Sequence, residues 1–284
     1  MTEVHHGSDM APVWLITGCS TGLGRELARC ALECGYRVVV TARGLDAVKD
    51  FAAFEQALVL ELDVTDLAQV RAAVGEAEKR FGRIDVLVNN AGIGYFAAIE
   101  EGEEAEARRM FEINVFGLCR MTRAVLPGMR ARRDGVIVNL SSLAGIWPGP
   151  GMGYYAATKH AVEGLSGALA REVAHLGVKV IAVEPSGLRT DWAKRSENET
   201  TARIEEYAAV TADVRREQMR ARAGDQPGDP RRAARAILEA VRAPNPPRHL
   251  PLGNAAYEMG SAHLESVLAD FRAGEAVARA IDAP

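Results

Sequence analysis

Val13-Trp14-Leu15-Ile16-Thr17-Gly18-Cys19-Ser20-Thr21-Gly22-Leu23-Gly24 decides the fold. Its first residues form a short apolar run that reads as a buried strand. Three glycines then punctuate a turn, and a helical pattern runs from about Arg25 to Glu33. Strand, glycine-rich turn and helix together aim backbone N–H groups at one point, the geometry that seats a pyrophosphate on a helix N-terminus. The spacing is Gly18-x-x-x-Gly22-x-Gly24, which differs from the G-x-G-x-x-G fingerprint.

Outward from this turn, strands and helices alternate. Further apolar runs lie at 37–41, 57–62, 84–88, 135–140 and 178–183, with helical patterns at 66–80, 103–130 and 154–175. Apolar runs without period-two alternation are strands buried on both faces. The pattern predicts an α/β fold: a Rossmann-type, doubly wound, mostly parallel seven-stranded sheet with helices on both faces. Arg248-His-Leu-Pro-Leu252 supplies an edge strand, since Pro251 cannot donate to a ladder. Helices are expected at 231–242 and 255–280. Residues 1–12 read as a disordered leader and 13–284 as a single domain, with a polar, charged segment at about 190–228 set into it.

The bulk composition excludes several classes. A net charge of -4 and a pI near 5.9 give no general drive toward nucleic acid or anionic membrane. Cys19, Cys30, Cys34 and Cys119 have no C-x-x-C spacing, and the six histidines complete no metal set, so no metal is expected. No stretch has the length and apolarity of a membrane span, and no signal segment opens the chain, so the expected location is cytoplasmic.

The chemistry-bearing residues lie further along. Tyr155 and Lys159 are four apart on a helix, hence on one face, and Ser142 ends Gly135-Val-Ile-Val-Asn-Leu-Ser-Ser142. A tyrosine of ordinary pKa, about 10, is a poor acid at neutral pH, and a neighbouring ammonium favours its ionised form. Tyr155 therefore suits proton exchange with a carbonyl or alcohol oxygen that Ser142 can also hold. The pair alone arises by chance in roughly one such chain in ten on composition. At the end of the second strand, Val40-Thr-Ala-Arg43 offers a base and no acid before Asp46. Arg43 can grip a 2′-phosphate, which points to NADP(H), with NAD(H) as the alternative.

Taken in order, Thr17-Gly-x-x-x-Gly-x-Gly24, Asn89-Asn-Ala-Gly92, Asn114, Ser142 and Tyr155-x-x-x-Lys159 resemble the short-chain dehydrogenase/reductase family. The resemblance covers about 13–190 well and the remainder more loosely. It implies an NAD(P)-dependent oxidoreductase acting on CH–OH groups, with Tyr155 as acid/base and Lys159 lowering its pKa while bonding the nicotinamide ribose. Ser142 would position the substrate oxygen, and Asn114 would hold a water in a proton relay.

The cofactor, on the same resemblance, would contact Gly18, Ser20, Thr21, Gly22, Leu23 and Gly24, then Asp63 and Val64 beside the adenine. Asn90, Ala91 and Gly92 would support the adenosine, and Pro185, Gly187, Leu188 and Thr190 would hold the carboxamide. Ser186 stands where the family has glycine. Tyr154 is five residues from Lys159 and off its face.

The segment after Thr190 usually forms a lid in this family. Trp192, Ile204, Tyr207, Val210 and Met219 are candidates for its apolar face, opposite Tyr95, Phe96, Trp147 and Met152. Of these, Tyr95, Trp147 and Trp192, with Ser142 and Tyr155, are taken as substrate contacts. The Ala91-Gly-Ile-Gly-Tyr95 loop, Val241-Arg-Ala-Pro244 and the tail length are similar, more distantly, to hydroxysteroid and retinol dehydrogenases, which implies a bulky, weakly polar substrate. Family likeness also implies a homodimer or homotetramer built on helices 103–130 and 154–175. Two other readings are a non-catalytic dinucleotide sensor or scaffold, and an epimerase or dehydratase of the longer related branch. The complete catalytic set weighs against the first, and the glycine pattern against the second.

Overall fold

A computed structural model describes residues 11–192, 204–209 and 225–282. The expected leader falls mainly on residues outside that set, as do Val210, Met219 and most of the expected lid. Ala11 and Pro12 are described, and Arg37 binds both: its guanidinium donates to the Ala11 carbonyl and its backbone N–H to that of Pro12.

Seven strands, β1 (Val13–Ile16), β2 (Arg37–Ala42), β3 (Ala57–Glu61), β4 (Val86–Asn89), β5 (Gly135–Leu140), β6 (Val178–Pro185) and β7 (His249–Leu252), form one sheet in the order β3-β2-β1-β4-β5-β6-β7. Every pairing is parallel, so the sheet is fully rather than mostly parallel. Pro251 lies in the edge strand β7, paired with Glu184 of β6.

Successive side chains of a strand point to opposite faces. Trp14 and Ile16 of β1 join one buried cluster, with Leu27 of α1 (Gly22–Glu33) and Ile237 of a late helix. Val13 and Leu15 join the other, with Val70 and Val74 of α2 (Leu67–Phe81) and Met121 farther along the chain. Each such Leu, Ile or Val contributes about 1.5–3 kcal/mol when fully buried, which is why apolar runs of this length become central strands.

The predicted helix at 103–130 is three pieces: α3 (Glu104–Phe111), a π-helical turn (Glu112–Gly117) and α4 (Leu118–Arg132). The extra residue per turn sets Asn114 into the interior, a distortion that hydropathy does not encode. Helix α5 (Gly153–Val173) carries Tyr155 and Lys159. Helix α6 (Pro230–Arg242) begins at Asp229, whose carboxylate caps Arg231 and Arg232. The final expected helix divides at Gly274 into α7 (Asn254–Ala273) and α8 (Glu275–Ile281).

The strand order reverses between β1 and β4. Ligands of open α/β sheets bind beyond the strand ends at such a switch point. Thr17 and Asn90 follow those two strands directly.

Candidate active site

At the switch point the glycine turn and the Asn89-Asn-Ala-Gly92 segment are sewn together. The Thr17 hydroxyl donates to the Val88 carbonyl (3.2 Å) and accepts from the backbone N–H groups of Asn90 and Ala91 (both 3.0 Å). The Asn90 amide donates to the carbonyls of Thr17 (2.8 Å) and Gly18 (3.0 Å). Asn89 points inward instead, donating to Asn139 (2.9 Å) and Thr122 (3.2 Å) and so bracing β4 against β5 and α4. Gly18 and Gly22 have φ of +71° and +63°, which β-carbon-bearing residues rarely adopt.

The turn fits an anionic dinucleotide. Thr21, at the N-cap of α1, has a buried hydroxyl oxygen with no hydrogen-bond partner among the described residues, and the first turn of α1 holds no acid. A β-carbon on Gly22 would sit 3.4 Å from Thr190, filling the space between the turn and the segment after β6. Arg43 is exposed beyond β2 and makes no ion pair among the described residues. The Asp63 carboxylate accepts from the backbone and hydroxyl of Thr65, at 2.9 and 2.7 Å, while Val64 packs at Gly117.

The segment after β6 explains how Ser186 replaces glycine. Its backbone N–H and hydroxyl both donate to the Leu252 carbonyl, at 2.9 and 3.2 Å, tying Pro185-Ser186 to the end of β7. Gly187 and Leu188 pair with Gly228, and Arg189 donates to Gln226, Pro227 and Gly228. Thr190 accepts from the Trp192 backbone (3.4 Å).

Around Tyr155 the structure brings the catalytic candidates together. Tyr155 is buried with Ser142 near enough to favour its ionised form, and the Ser142 side chain accepts from the Ala144 backbone (3.1 Å). Lys159 is buried too. Its ammonium donates to the Leu140 carbonyl (2.7 Å) and lies 5.7 Å from the Tyr155 ring centroid. Desolvation pushes the Tyr155 phenol up to about 12, only partly opposed by Ser142. It lowers Lys159 to about 8, against the opposing pull of Glu163. Burial thus sets the phenol, which holds its proton at neutral pH.

Asn114 is fixed from three sides: its carbonyl accepts from Ile93 N–H (2.9 Å), and its amide donates to the Ile93 carbonyl (2.9 Å) and the Thr158 hydroxyl (3.2 Å).

Aromatic rings close over Tyr155. Trp192 stands 5.3 Å away between centroids and Phe96 5.6 Å away, with Trp192 edge-on to Phe96. Tyr95 is fully buried, its hydroxyl accepting from the Glu103 backbone (2.7 Å) and its ring against Tyr154. Tyr154 in turn donates to the Ile99 carbonyl (2.8 Å), well away from Lys159's bond. Trp147 is half-buried on the stretch after Ser142. Ile204 and Tyr207 bond to Glu101 and Glu100, both at 2.8 Å, so this part of the lid segment meets the loop after Phe96.

Sequence reading missed a cluster beside Lys159. Glu163, one turn further on α5, and Glu184 of β6 converge with His249 of β7, their ligating atoms within 4.8 Å of one another. The His249 Nδ1 lies 2.8 Å from Glu184 and 3.6 Å from Glu163. Burial raises both carboxyls, Glu184 to about 7. The i, i+4 spacing from Lys159 was the available signal; the partners come from two distant strands.

Fold and site together define a nicotinamide-dinucleotide-dependent oxidoreductase. The chain belongs to the short-chain dehydrogenase family, whose model matches residues 12–201. It is 37% identical over 241 residues to a 3-ketodihydrosphingosine reductase of Bacteroides thetaiotaomicron, covering 84% of this chain and 87% of that one. Among solved structures it resembles a short-chain dehydrogenase from Streptomyces avermitilis, with a TM-score of 0.87, 40% identity, and coverage of 97% and 100%. A Burkholderia phymatum member in complex with NAD gives a TM-score of 0.81 at 25% identity, covering 92% and 95%. No described helix is long and apolar enough to cross a membrane.

Proposed function

We propose that this chain is an NADP(H)-dependent oxidoreductase interconverting a ketone or aldehyde and the corresponding alcohol, on a bulky, weakly polar substrate. One observation carries the reading: a buried Tyr155 lies one helical turn from a buried Lys159, whose ammonium stands 5.7 Å from the phenol ring centroid, with Ser142 acting on the same phenol. When bound, the nicotinamide supplies or accepts the hydride. Tyr155 donates its proton to the carbonyl oxygen that Ser142 holds, and takes it back in the oxidative direction. The nearby Lys159 charge stabilises the phenolate left behind, and Asn114 stands at the π-helical turn as the relay's anchor.

Gly18 to Gly24 would cradle the diphosphate, Asp63, Val64 and Asn90 to Gly92 the adenosine, and Pro185, Gly187, Leu188 and Thr190 the carboxamide. Arg43 favours the 2′-phosphate because it is exposed at the end of β2 without an acidic partner among the described residues. Trp192 and Phe96 over Tyr155 favour an apolar substrate; Trp147, half-buried after Ser142, is a further candidate contact, while Tyr95 is core in the same cluster with its hydroxyl held at Glu103. The reductase relative acts, by its name, on a keto compound. Four free thiols fit a reducing, cytoplasmic setting.

The test is a screen of NADPH oxidation over ketones of graded size, repeated with NADH. Turnover is expected for large apolar ketones and faster with NADPH. Activity confined to small sugars or acyl thioesters, or a preference for NADH, contradicts the reading.

A further inference from the structure

The C-terminal helices leave their own domain. Ala256 and Gly260 seat the start of α7 over Leu143 and Ile146, in the turn after Ser142. From Leu264 to Asp282, every residue except Gly274 is exposed. The hydrogen-bond ladder continues through Gly274, whose N–H donates to Asp270 and whose carbonyl accepts from Ala278, both at 3.0 Å. A rod of roughly 27 Å thus projects without packing on the described residues. Helices of this length are marginal in water unless an apolar face is covered.

The rod has such a face. Tyr257, Leu264, Leu268 and Phe271 recur at coiled-coil spacing, with exposures of 66%, 55%, 49% and 78%, and Val267 lies alongside. At roughly 100 Å² each, these five residues present about 500 Å² of apolar surface, the apolar share of an interface burying about 800 Å² per partner.

Charge selects the occupant. Glu258, Glu265, Arg272 and Arg279 follow one another at seven-residue intervals down one flank of that stripe, acids first and bases last. Two copies packed antiparallel bring Glu265 level with Arg272, and Glu258 with Arg279, each pair occurring twice by symmetry. Within one chain Arg279 already meets Glu275 at 2.7 Å, so it is the adaptable member of the set. A lipid surface fits poorly, because residues 254–282 carry five carboxylates against two arginines, whereas membrane-lying helices are rich in Lys and Arg on the polar face.

We propose that α7 and α8 form a self-association surface on which a second copy of this chain packs antiparallel, through Leu264, Leu268 and Phe271, with Glu265 and Arg272 as its polarity code.

Sedimentation of the full chain over a wide concentration range tests this. Wild type is expected as a dimer or a higher even assembly, and Leu268→Asp/Phe271→Asp as a species of half the mass. Arg272→Glu is expected to weaken association at least about tenfold, and Glu265→Arg/Arg272→Glu to restore it, since like charges become opposite again. These side chains are exposed, so thermal melting of each variant serves as the folding control. A monomeric wild type, including one that binds neutral vesicles instead, overturns the proposal. So does an unchanged mass in the apolar double variant, or no recovery in the charge-exchanged one.

Discussion

Lys159 donates to the carbonyl of Leu140 across 2.7 Å, fixing the ammonium of α5 to the last residue of β5. The bond holds the charge near Tyr155, while burial brings its pKa down to about 8. Above that pH the ammonium is lost, and with it the stabilisation of the phenolate that proton donation leaves. The kcat/KM for carbonyl reduction is therefore expected to fall as pH rises through about 8. Lys159→Met is expected to react at least about tenfold more slowly and to lack that limb. A profile in the wild type that is flat across this range contradicts the assignment.

Gly24 has no room for a side chain. A β-carbon there would overlap the Asn90 amide and lie 2.7 Å from the Gly18 carbonyl. Gly24→Ala is expected to cost about 1–3 kcal/mol of stability and to weaken dinucleotide binding, because it pushes the glycine turn away from β4. Denaturant melts and nucleotide titration by fluorescence check both; wild-type behaviour in both excludes the close approach.

Arg43→Ala separates the two cofactors. Loss of a charge-assisted contact to the 2′-phosphate is expected to raise KM for NADPH at least about tenfold while leaving that for NADH nearly unchanged. Equal effects on both would assign Arg43 to the surface alone.

Glu184 links the His249 cluster to stability. Its folded-state pKa is about 7 against an ordinary 4.5, so between these values the folded chain holds a proton that the unfolded chain releases. Stability contributed by Glu184 therefore falls as pH rises through that window. Glu184→Gln is expected to lose this slope, gaining several degrees in Tm relative to wild type between about pH 4.5 and 7. Glu163, raised in the same direction, preserves part of the dependence in the variant. Parallel Tm curves contradict the coupling.

The sheet was readable because its central strands are short, mostly apolar runs separated by helical patterns, and the glycine turn because its residues are contiguous. Tyr155, Lys159 and Ser142 were readable because one helix and one strand end carry them at short spacing. The π-helical turn at Asn114 was not, since Glu112 to Gly117 continue a helical pattern and the wider turn is a property of backbone hydrogen bonding that side-chain hydropathy does not mark. Nor was the partnership of Glu163, Glu184 and His249, which depends on β7 lying beside β6. The direction of the Tyr155 shift also escaped a reading of neighbouring charge, because burial beside Phe96 and Trp192 is its largest cause.

Tyr155 is the proposed proton donor in carbonyl reduction. Its most direct test is steady-state turnover of Tyr155→Phe with NADPH and an accepted ketone, alongside NADPH binding by fluorescence. A fall in kcat of at least about two decades with binding retained is the expected result. Turnover near that of the wild type contradicts it.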